Sequence, residues 1–146
     1  MKIHEITDAE GRVVAPEWMA RAERVHRQLR DELLADYRGI LEQVFAGGGR
    51  MCVAAEGETV TGVAVWRAHV NTVNGLHLYV DDLVTDDNKR SSGVGRLLMD
   101  WLEHKARSLD CNWLTLDSAV SNAPAHRFYF RERMNIRAFK FAKRLK

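Results

Sequence analysis

The residues best suited to chemistry stand together at positions 79–98, where an apolar run gives way to a polar loop and then to a helical pattern. The loop ends in R-x-x-G-x-G, formed by Arg90, Gly93 and Gly95. Glycines there let the backbone approach a bound group, and N–H groups at the beginning of a helix attract anions. This pattern predicts a phosphate site, although two glycines in a loop are also typical of a simple turn.

Two familiar phosphate motifs are excluded by single positions. A dinucleotide-binding fingerprint needs a third glycine three residues after Gly95, where this chain has Leu98. A P-loop needs G-x-x-x-x-G-K-[ST], and neither this loop nor the glycine run at 47–49 supplies it. The loop therefore predicts anion binding of another kind.

Composition limits the class of protein that carries this loop. The 146 residues are 46% hydrophobic and 29% charged, with a net charge of +2. A chain of this size buries one adequate core, and none of its apolar runs approaches the ~20 residues that span a bilayer. We expect a single domain over residues 1–146, cytoplasmic and without a membrane partner. Cys52, Cys111 and the histidines show no metal-ligand spacing, which predicts no metal.

Alternation and turn residues predict the strands around the loop, and apolar residues at i, i+3, i+4 and i+7 predict the helices. Strands are expected at 2–7, 51–55, 60–70, 76–85, 113–116 and 136–142. Helices are expected at 16–29, 33–45, 94–106 and 124–132. Asn74-Gly75 indicates a hairpin turn between the third and fourth strands. The order β-α-α-β-β-β-α-β-α-β predicts one α+β domain.

The C-terminal stretch is basic, with eight basic and one acidic residue in positions 121–146, a net charge of +7. Such a stretch is compatible with nucleic-acid binding. However, its charges alternate with apolar residues such as Ile136, Phe139 and Phe141, as on the solvated face of a strand. Nucleic acid is therefore not the expected partner.

Two motifs resemble those of the GNAT superfamily of acyl-CoA-dependent N-acyltransferases. The family pattern V-x-x-x-x-[QR]-x-x-G-x-[GA] is matched with Thr85 in place of valine and with Arg90, Gly93 and Gly95. A second match downstream comprises Leu116-Asp117-Ser118 and then Asn122, Ala125, Phe128 and Tyr129. The resemblance covers about residues 50–146. It implies a three-layer α/β arrangement within the α+β class, with a mixed, mostly antiparallel sheet splayed between strands 4 and 5 and flanked by helices.

The resemblance implies that acetyl-CoA binds between those two strands. The pantetheine arm would lie along Leu83, Val84 and Thr85, with Asn122 either bonding this region or capping its own helix. The pyrophosphate would be held by Arg90, Ser91, Ser92, Gly93, Val94, Gly95 and Arg96. Two departures stand out. Ser91-Ser92 replaces a glycine and a cation that many members have, and Arg133-Met134 replaces the usual Gly-Phe after the tyrosine helix.

The catalytic roles also follow from the resemblance. An alkylamine must lose a proton before it attacks a thioester, and at pH 7 only about one in 2,500 is free base, a penalty of roughly 4.6 kcal/mol. Asp81, with Asp82 in reserve, would accept that proton. Successive strand residues face opposite ways, so at most one is expected to point into the cleft. Both could instead be solvated or helix-capping charges. Tyr129 would protonate the departing thiolate, unless it only packs among phenylalanines.

The predicted function is transfer of an acetyl group from acetyl-CoA to a primary amine by direct attack in a ternary complex. The acidic residues near the loop favour a cationic small molecule or peptide amine as acceptor, and a homodimer is expected from the family. The alternative is a non-catalytic CoA-binding regulatory module with the same fold.

Overall fold

The structure, a computed structural model, describes residues 1–32 and 35–146. Leu33 and Leu34, which the sequence pattern assigns to the second helix, lie outside the described residues. The chain groups into two compact units, Met1–Thr115 and Leu116–Lys146, while the single domain over residues 1–146 stays a prediction. In order, the elements are β1 (Lys2–Glu5), α1 (Pro16–Leu29), α2 (Tyr37–Ala46), β2 (Arg50–Glu56), β3 (Thr59–Asn71), β4 (Gly75–Thr85), a short 3-10 turn (Asp87–Lys89), α3 (Val94–Ser108), β5 (Trp113–Leu116) and α4 (Ala123–Arg131).

The strands form one mixed sheet in the order β1-β2-β3-β4-β5. The first four strands pair antiparallel with their sequence neighbours, and β5 lies beside β4 and parallel to it. The N–H of Asn112, just before β5, donates to the Leu76 carbonyl near the beginning of β4 at 2.8 Å. The mixed, mostly antiparallel sheet flanked by helices is confirmed.

The β3–β4 hairpin is confirmed, but its turn is longer than the Asn74-Gly75 pair suggests. Asn71 pairs with Gly75, which leaves three residues between them. The Asn71 side-chain oxygen accepts from the N–H groups of Val73 and Asn74, and Gly75 has a φ of 65°. The asparagine that closes the turn is therefore the earlier one.

Helices α1 and α3 cover opposite faces of the sheet. Val63 and Val65 of β3 belong to the core cluster that contains Met19 and Val25 of α1. Gly62, next to Val63, faces the other side of the sheet and lies against α3. A Cβ on Gly62 would lie 2.6 Å from Val94 and 2.8 Å from Leu98. Helix α2 joins the α1 side, with Tyr37, Leu41 and Phe45 in the same cluster.

A bulge interrupts the pairing of β3 with β4. Val65 is opposite Asp82, whereas the next residue, Trp66, is opposite Val80, so Asp81 is an extra residue in β4. An extra residue breaks the strict alternation of side chains across a sheet. The expectation that Asp81 and Asp82 face opposite ways rests on that alternation, and it fails at this position.

The unit Leu116–Lys146 consists of the end of β5, α4 and the C-terminal residues. Arg133 follows α4 with a φ of 62°, the conformation a glycine would take there, and the N–H of Met134 closes the helix end on the Tyr129 carbonyl. The strand predicted at 136–142 is wrong: residues 135–146 have no regular secondary structure, and Phe139 and Phe141 are exposed. An alternation of apolar and polar residues indicates that one face of a segment tends to be buried, whereas a strand forms only where its backbone pairs with another strand.

Candidate functional site

The two aspartates of the bulge lie on the same side of the sheet. Asp82 contacts His26 of α1, and Asp81 accepts from Arg67 Nε (2.8 Å), whose NH1 donates to the Gly47 carbonyl at the end of α2. Both carboxylates thus face the side that α1 and α2 cover. This arrangement follows from the bulge, because a regular strand would have sent one of the two to the α3 side.

Asp82 is held at both of its oxygens. His26 Nε2 lies 2.9 Å from Oδ2, and Arg30 Nε donates to Oδ1 at 2.6 Å. Burial raises the pKa of Asp82, but the hydrogen bond from His26 and the charge of Arg30 outweigh it, so the net pKa lies below its usual value. A carboxylate with a lowered pKa and two occupied oxygens is a weak proton acceptor.

Asp81 is the more accessible of the pair. Its side chain is 28% exposed, against 15% for Asp82, and its bond to Arg67 engages Oδ2. A base must reach the proton it removes, either directly or through one water. On geometry, Asp81 is therefore better suited than Asp82 to meet an amine.

His26 lies behind Asp82 and is only 1% exposed. Its Nδ1 is 2.9 Å from the Tyr37 hydroxyl, and burial raises the pKa of Tyr37, which keeps that hydroxyl protonated. Every donor meets an acceptor when Tyr37 donates to Nδ1 and Nε2–H donates to Asp82. Sequence reasoning missed His26, although a histidine in the buried stripe with Ala22 and Val25 is the signal that could have found it.

The start of the loop is fixed by a second carboxylate on the α1 side. Asp86 is 3% exposed, and Arg24 NH2 lies 2.5 Å from its Oδ2. Gln28 donates to Asp86 and accepts from the Asp87 N–H at 2.9 Å. The hydrogen bond from Arg24 lowers the pKa of Asp86 to about 2, so this anchor is charged at neutral pH. Sequence reasoning gave Asp86 no such role.

The loop residues 90–96 lead into α3 with a backbone suited to an anion. Ser91 and Gly93 have φ values of 61° and 87°, and Gly93 is the N-cap of α3. The Leu97 N–H closes the first helical turn on the Gly93 carbonyl. By helix geometry, the N–H groups of the three residues between them have no carbonyl partner in the helix. They are Val94, Gly95 and Arg96.

The basic side chains around the loop each have an acidic neighbour. Lys89 Nζ lies 2.7 Å from Glu56, Arg90 NH2 2.6 Å from Asp87, and Arg96 Nε 3.8 Å from Asp100. Because exposed ion pairs of this kind are weak, an anionic ligand can compete for the cations. The loop thus offers an anion both backbone N–H groups and these three cationic side chains.

The segment of β4 between the bulge and the loop pairs with β3. Leu83, Val84 and Thr85 lie opposite Ala64, Val63 and Gly62, respectively. Val84 packs against the core cluster, which holds this stretch of backbone rigidly. The bulge, this segment and the loop are consecutive, so Asp81, Asp82 and the predicted cofactor-binding residues up to Arg96 form one continuous stretch of the chain.

Asn122 and Tyr129 belong to the second unit. The Asn122 side chain accepts from the Ala125 N–H at 3.3 Å and caps α4, one of its two expected roles. Tyr129 is half-buried in the last turn of α4, with its ring 5.5 Å from that of Phe128. Burial raises the pKa of Tyr129, so its hydroxyl carries a proton at neutral pH.

Residues 1–32 and 35–146 hold no group of three or more His, Cys, Asp or Glu side chains placed to bind a metal. They also hold no helix that is both long and apolar enough to cross a membrane.

Comparison with known sequences agrees with these features. The family model described as the Acetyltransferase (GNAT) family matches residues 12–134. An uncharacterized N-acetyltransferase of Bacillus subtilis (strain 168), YhdJ, is 38% identical over 60 residues. That match covers 41% of this chain and 42% of the relative, so less than half of the relative's length is matched.

Solved structures show the same fold. An aminoglycoside acetyltransferase from an uncultured soil metagenomic sample, in complex with sisomicin, superposes with a TM-score of 0.79 and 14% identity, covering 99% of this chain and 96% of that chain. A tetramutant of the BH1408 protein from Bacillus halodurans superposes with a TM-score of 0.77 and 19% identity, covering 99% of this chain and 100% of that chain. A Trypanosoma brucei acetyltransferase superposes with a TM-score of 0.67 and 18% identity, covering 99% of this chain and 98% of that chain.

Proposed function

Since the chain belongs to the Acetyltransferase (GNAT) family, we propose that it transfers the acetyl group of acetyl-CoA to a primary amine. The observation that carries the proposal is the loop between β4 and α3. Its N-cap, Gly93, is in the left-handed conformation, and it opens a helix whose first N–H groups can bind a pyrophosphate. Both partners meet in a ternary complex, and acetyl-CoA supplies the activated acyl group.

The cofactor-binding residues follow the order of the chain. The backbone of Leu83, Val84 and Thr85 would pair with the pantetheine arm as an added strand would. The N–H groups of residues 90–96 would bind the pyrophosphate. Arg24 and Gln28 support this loop through Asp86, so that it is held before the ligand arrives.

Asp81 is the proposed proton acceptor, directly or through one water. The ammonium nitrogen loses a proton to Asp81 and then forms a bond to the acetyl carbonyl carbon. As the carbon–sulfur bond breaks, the thiolate leaves and the nitrogen releases its second proton to water, which gives the neutral amide. Asp82 is less suited to this role, because His26 and Arg30 occupy its oxygens.

Tyr129 is the proposed acid that protonates the thiolate of CoA. A thiol has a pKa near 8.5, and a phenol near 10 retains its proton at neutral pH. Burial raises the pKa of Tyr129 further, so the protonated form predominates. Proton donation by Tyr129 would prevent the thiolate from attacking the new amide.

The charge of the acceptor is less strongly constrained than the number of aspartates suggests. The four aspartates expected to attract a cation are each paired with an arginine: Asp81 with Arg67, Asp82 with Arg30, Asp86 with Arg24 and Asp87 with Arg90. These pairs compensate the negative charge. A cationic amine such as an aminoglycoside or a peptide lysine remains the proposed acceptor, supported by the sisomicin-bound structural relative.

The test is amine-dependent release of free CoA thiol. An aminoglycoside, a polyamine, a lysine peptide and a neutral amino alcohol would be compared, with the Asp81→Asn variant as the control for proton removal. We expect release with at least one cationic amine and a large loss of rate in Asp81→Asn. Acetyl-CoA binding without release under any amine would instead support the alternative, a CoA-binding regulatory module. The cytoplasmic location and the homodimer stay predictions.

A further inference from the structure

Arg30, the C-cap residue of α1, contacts both Asp81 and Asp82 at the β4 bulge. Its Nε donates to Asp82 Oδ1 at 2.6 Å, and its NH2 donates to the backbone carbonyl of Asp81 at 3.0 Å. One guanidinium thus donates to the side chain of Asp82 and to the main chain of Asp81. Because the donors of a planar guanidinium have a fixed geometry, these two hydrogen bonds fix the Asp81 carbonyl relative to the Asp82 carboxylate.

His26 holds the other oxygen of Asp82. It stands one helical turn before Arg30, and Tyr37 holds its second ring nitrogen. A histidine with both nitrogens engaged cannot rotate without losing a hydrogen bond. The Asp82 carboxylate is therefore fixed from both sides by α1.

The bulge needs such support from outside the sheet. Asp81 has no residue opposite it in β3, so the ladder does not fix its backbone. This local geometry lets the Asp81 side chain reach the α1 side, where its carboxylate also accepts from Arg67 Nε at 2.8 Å. Contacts that fix the bulge also fix the direction of the Asp81 carboxylate.

We propose that His26 and Arg30 form a clasp that sets the position of Asp81 for proton removal from the amine. The two are positioning residues, because they act through Asp82 and the backbone carbonyl of Asp81. This inference rests on the proposed function, in which Asp81 is the proton acceptor.

Stability alone does not explain the clasp. Helix α1 is already anchored by Met19, Ala22 and Val25, which are at most 3% exposed. Buried or half-buried ion pairs contribute little net stability compared with apolar side chains of similar size. A network of His26, Arg30 and Asp82 therefore fits a positional role better.

The first experiment separates position from binding. Arg30→Gln removes the double contact, and Arg21→Gln is the matched control, since Arg21 lies on the same helix and pairs with Glu58 at 3.7 Å. We expect Arg30→Gln to lower kcat by about tenfold or more and to leave the KM for acetyl-CoA nearly unchanged. Equal kcat values in Arg30→Gln and Arg21→Gln would overturn the proposal.

A rescue experiment tests His26 separately. His26→Gln can place an amide N–H near the position of Nε2 and donate to Asp82, whereas His26→Leu cannot. We expect His26→Gln to retain most of the kcat and His26→Leu to lose it, with both rates measured well below the unfolding temperature of each variant. Equal losses in the two variants would show that His26 acts through packing, and would overturn its positioning role.

Hydrogen exchange provides a readout that does not depend on turnover. Amide exchange over residues 79–86 would be measured on the whole chain, in the wild type, Arg30→Gln and Arg21→Gln. Faster exchange at the bulge in Arg30→Gln alone supports the clasp, and equal exchange in the two variants overturns it. If the wild type has no transferase activity, the proposed function fails, and the exchange result still decides whether the clasp exists.

Discussion

At the residue scale, two motif positions that are not occupied by glycine have the left-handed backbone conformation that favours glycine. Ser91 in the loop has a φ of 61°, and Arg133 after α4 has a φ of 62°. Both positions are departures from the family motifs, one in R-G-[KR]-G and one in Gly-Phe. The backbone conformation is therefore kept even though the glycine is absent, with a local strain that glycine would remove.

Ser91→Gly is expected to stabilise the protein. A left-handed conformation costs roughly 1–2 kcal/mol for a residue with a Cβ, so relief of this strain should raise the free energy of unfolding by about 1 kcal/mol after the entropy of glycine is subtracted. Chemical denaturation measures the change. Ser92→Gly is the control: Ser92 has a negative φ and its hydroxyl donates to the Lys89 carbonyl, so a gain there as well would contradict the strain argument.

Tyr129→Phe tests the proton donor. We expect turnover to fall more than about tenfold, because the thiolate would have to leave unprotonated, while acetyl-CoA still binds. Steady-state rates and a titration with acetyl-CoA measure the two effects. Phe130→Leu is the control for packing of α4, since Phe130 is 53% exposed and has no hydroxyl. Unchanged turnover in Tyr129→Phe would remove this tyrosine from the mechanism.

Among the elements, the close approach of α3 to β3 depends on a glycine, Gly62, in the strand. Gly62 allows Val94 and Leu98 to pack directly on the strand, and Val94 is the first residue of the helix that follows the loop. The position of the loop N–H groups thus depends on contact between α3 and the sheet. Pattern analysis identified both elements but could not show how closely they approach.

Gly62→Ala is expected to weaken both folding and cofactor binding. The new Cβ would lie 2.6 Å from Val94, which should destabilise the protein by about 1–3 kcal/mol and raise the dissociation constant of acetyl-CoA. Gly47→Ala is the matched control, because a Cβ there would meet its nearest atom at an ordinary 3.5 Å. Equal stabilities of the two variants in denaturant would contradict this account of α3.

Across the whole molecule, α1 links the two parts of the candidate site in the first unit. His26 and Arg30 hold the bulge, and Arg24 and Gln28 hold Asp86 at the start of the loop. Arg24 and Gln28 lie four residues apart on one face of α1, and His26 and the C-cap residue Arg30 lie four residues apart on another. Folding of α1 onto the sheet therefore orders the proposed base and the proposed cofactor loop together.

This link predicts how stability changes in acid. The pKa of Asp86 is about 2 in the folded protein and near 3.9 in an unfolded chain, so its ion pair stabilises the fold above about pH 4. That contribution, of order 1–2 kcal/mol because Arg24 is partly exposed, should be lost as the pH falls from about 4 to 2.

Asp86→Asn removes the titrating group and isolates the effect. We expect the variant to be less stable than the wild type at pH 7 and the difference to shrink at acid pH, measured by denaturant unfolding from pH 2 to 7. Asp100→Asn is the control, since its partner Arg96 is 3.8 Å away and both side chains are exposed. A difference between Asp86→Asn and wild type that is constant with pH would contradict the role of the ion pair.

Local patterns in the sequence were enough to predict most elements and the R-x-x-G-x-G loop, and the family resemblance carried by two motifs implied the mixed sheet. Such patterns depend on neighbours within one helical turn or one hairpin, and these are close in the chain. The bulge at Asp81, the clasp by His26 and Arg30 and the anchoring of Asp86 by Arg24 were decided by tertiary structure. The clasp and the anchor each join residues more than fifty positions apart, and the bulge depends on the register of β3 on β4. The strand predicted at 136–142 failed for the same reason, since alternation expresses a tendency that only a paired neighbour can realise.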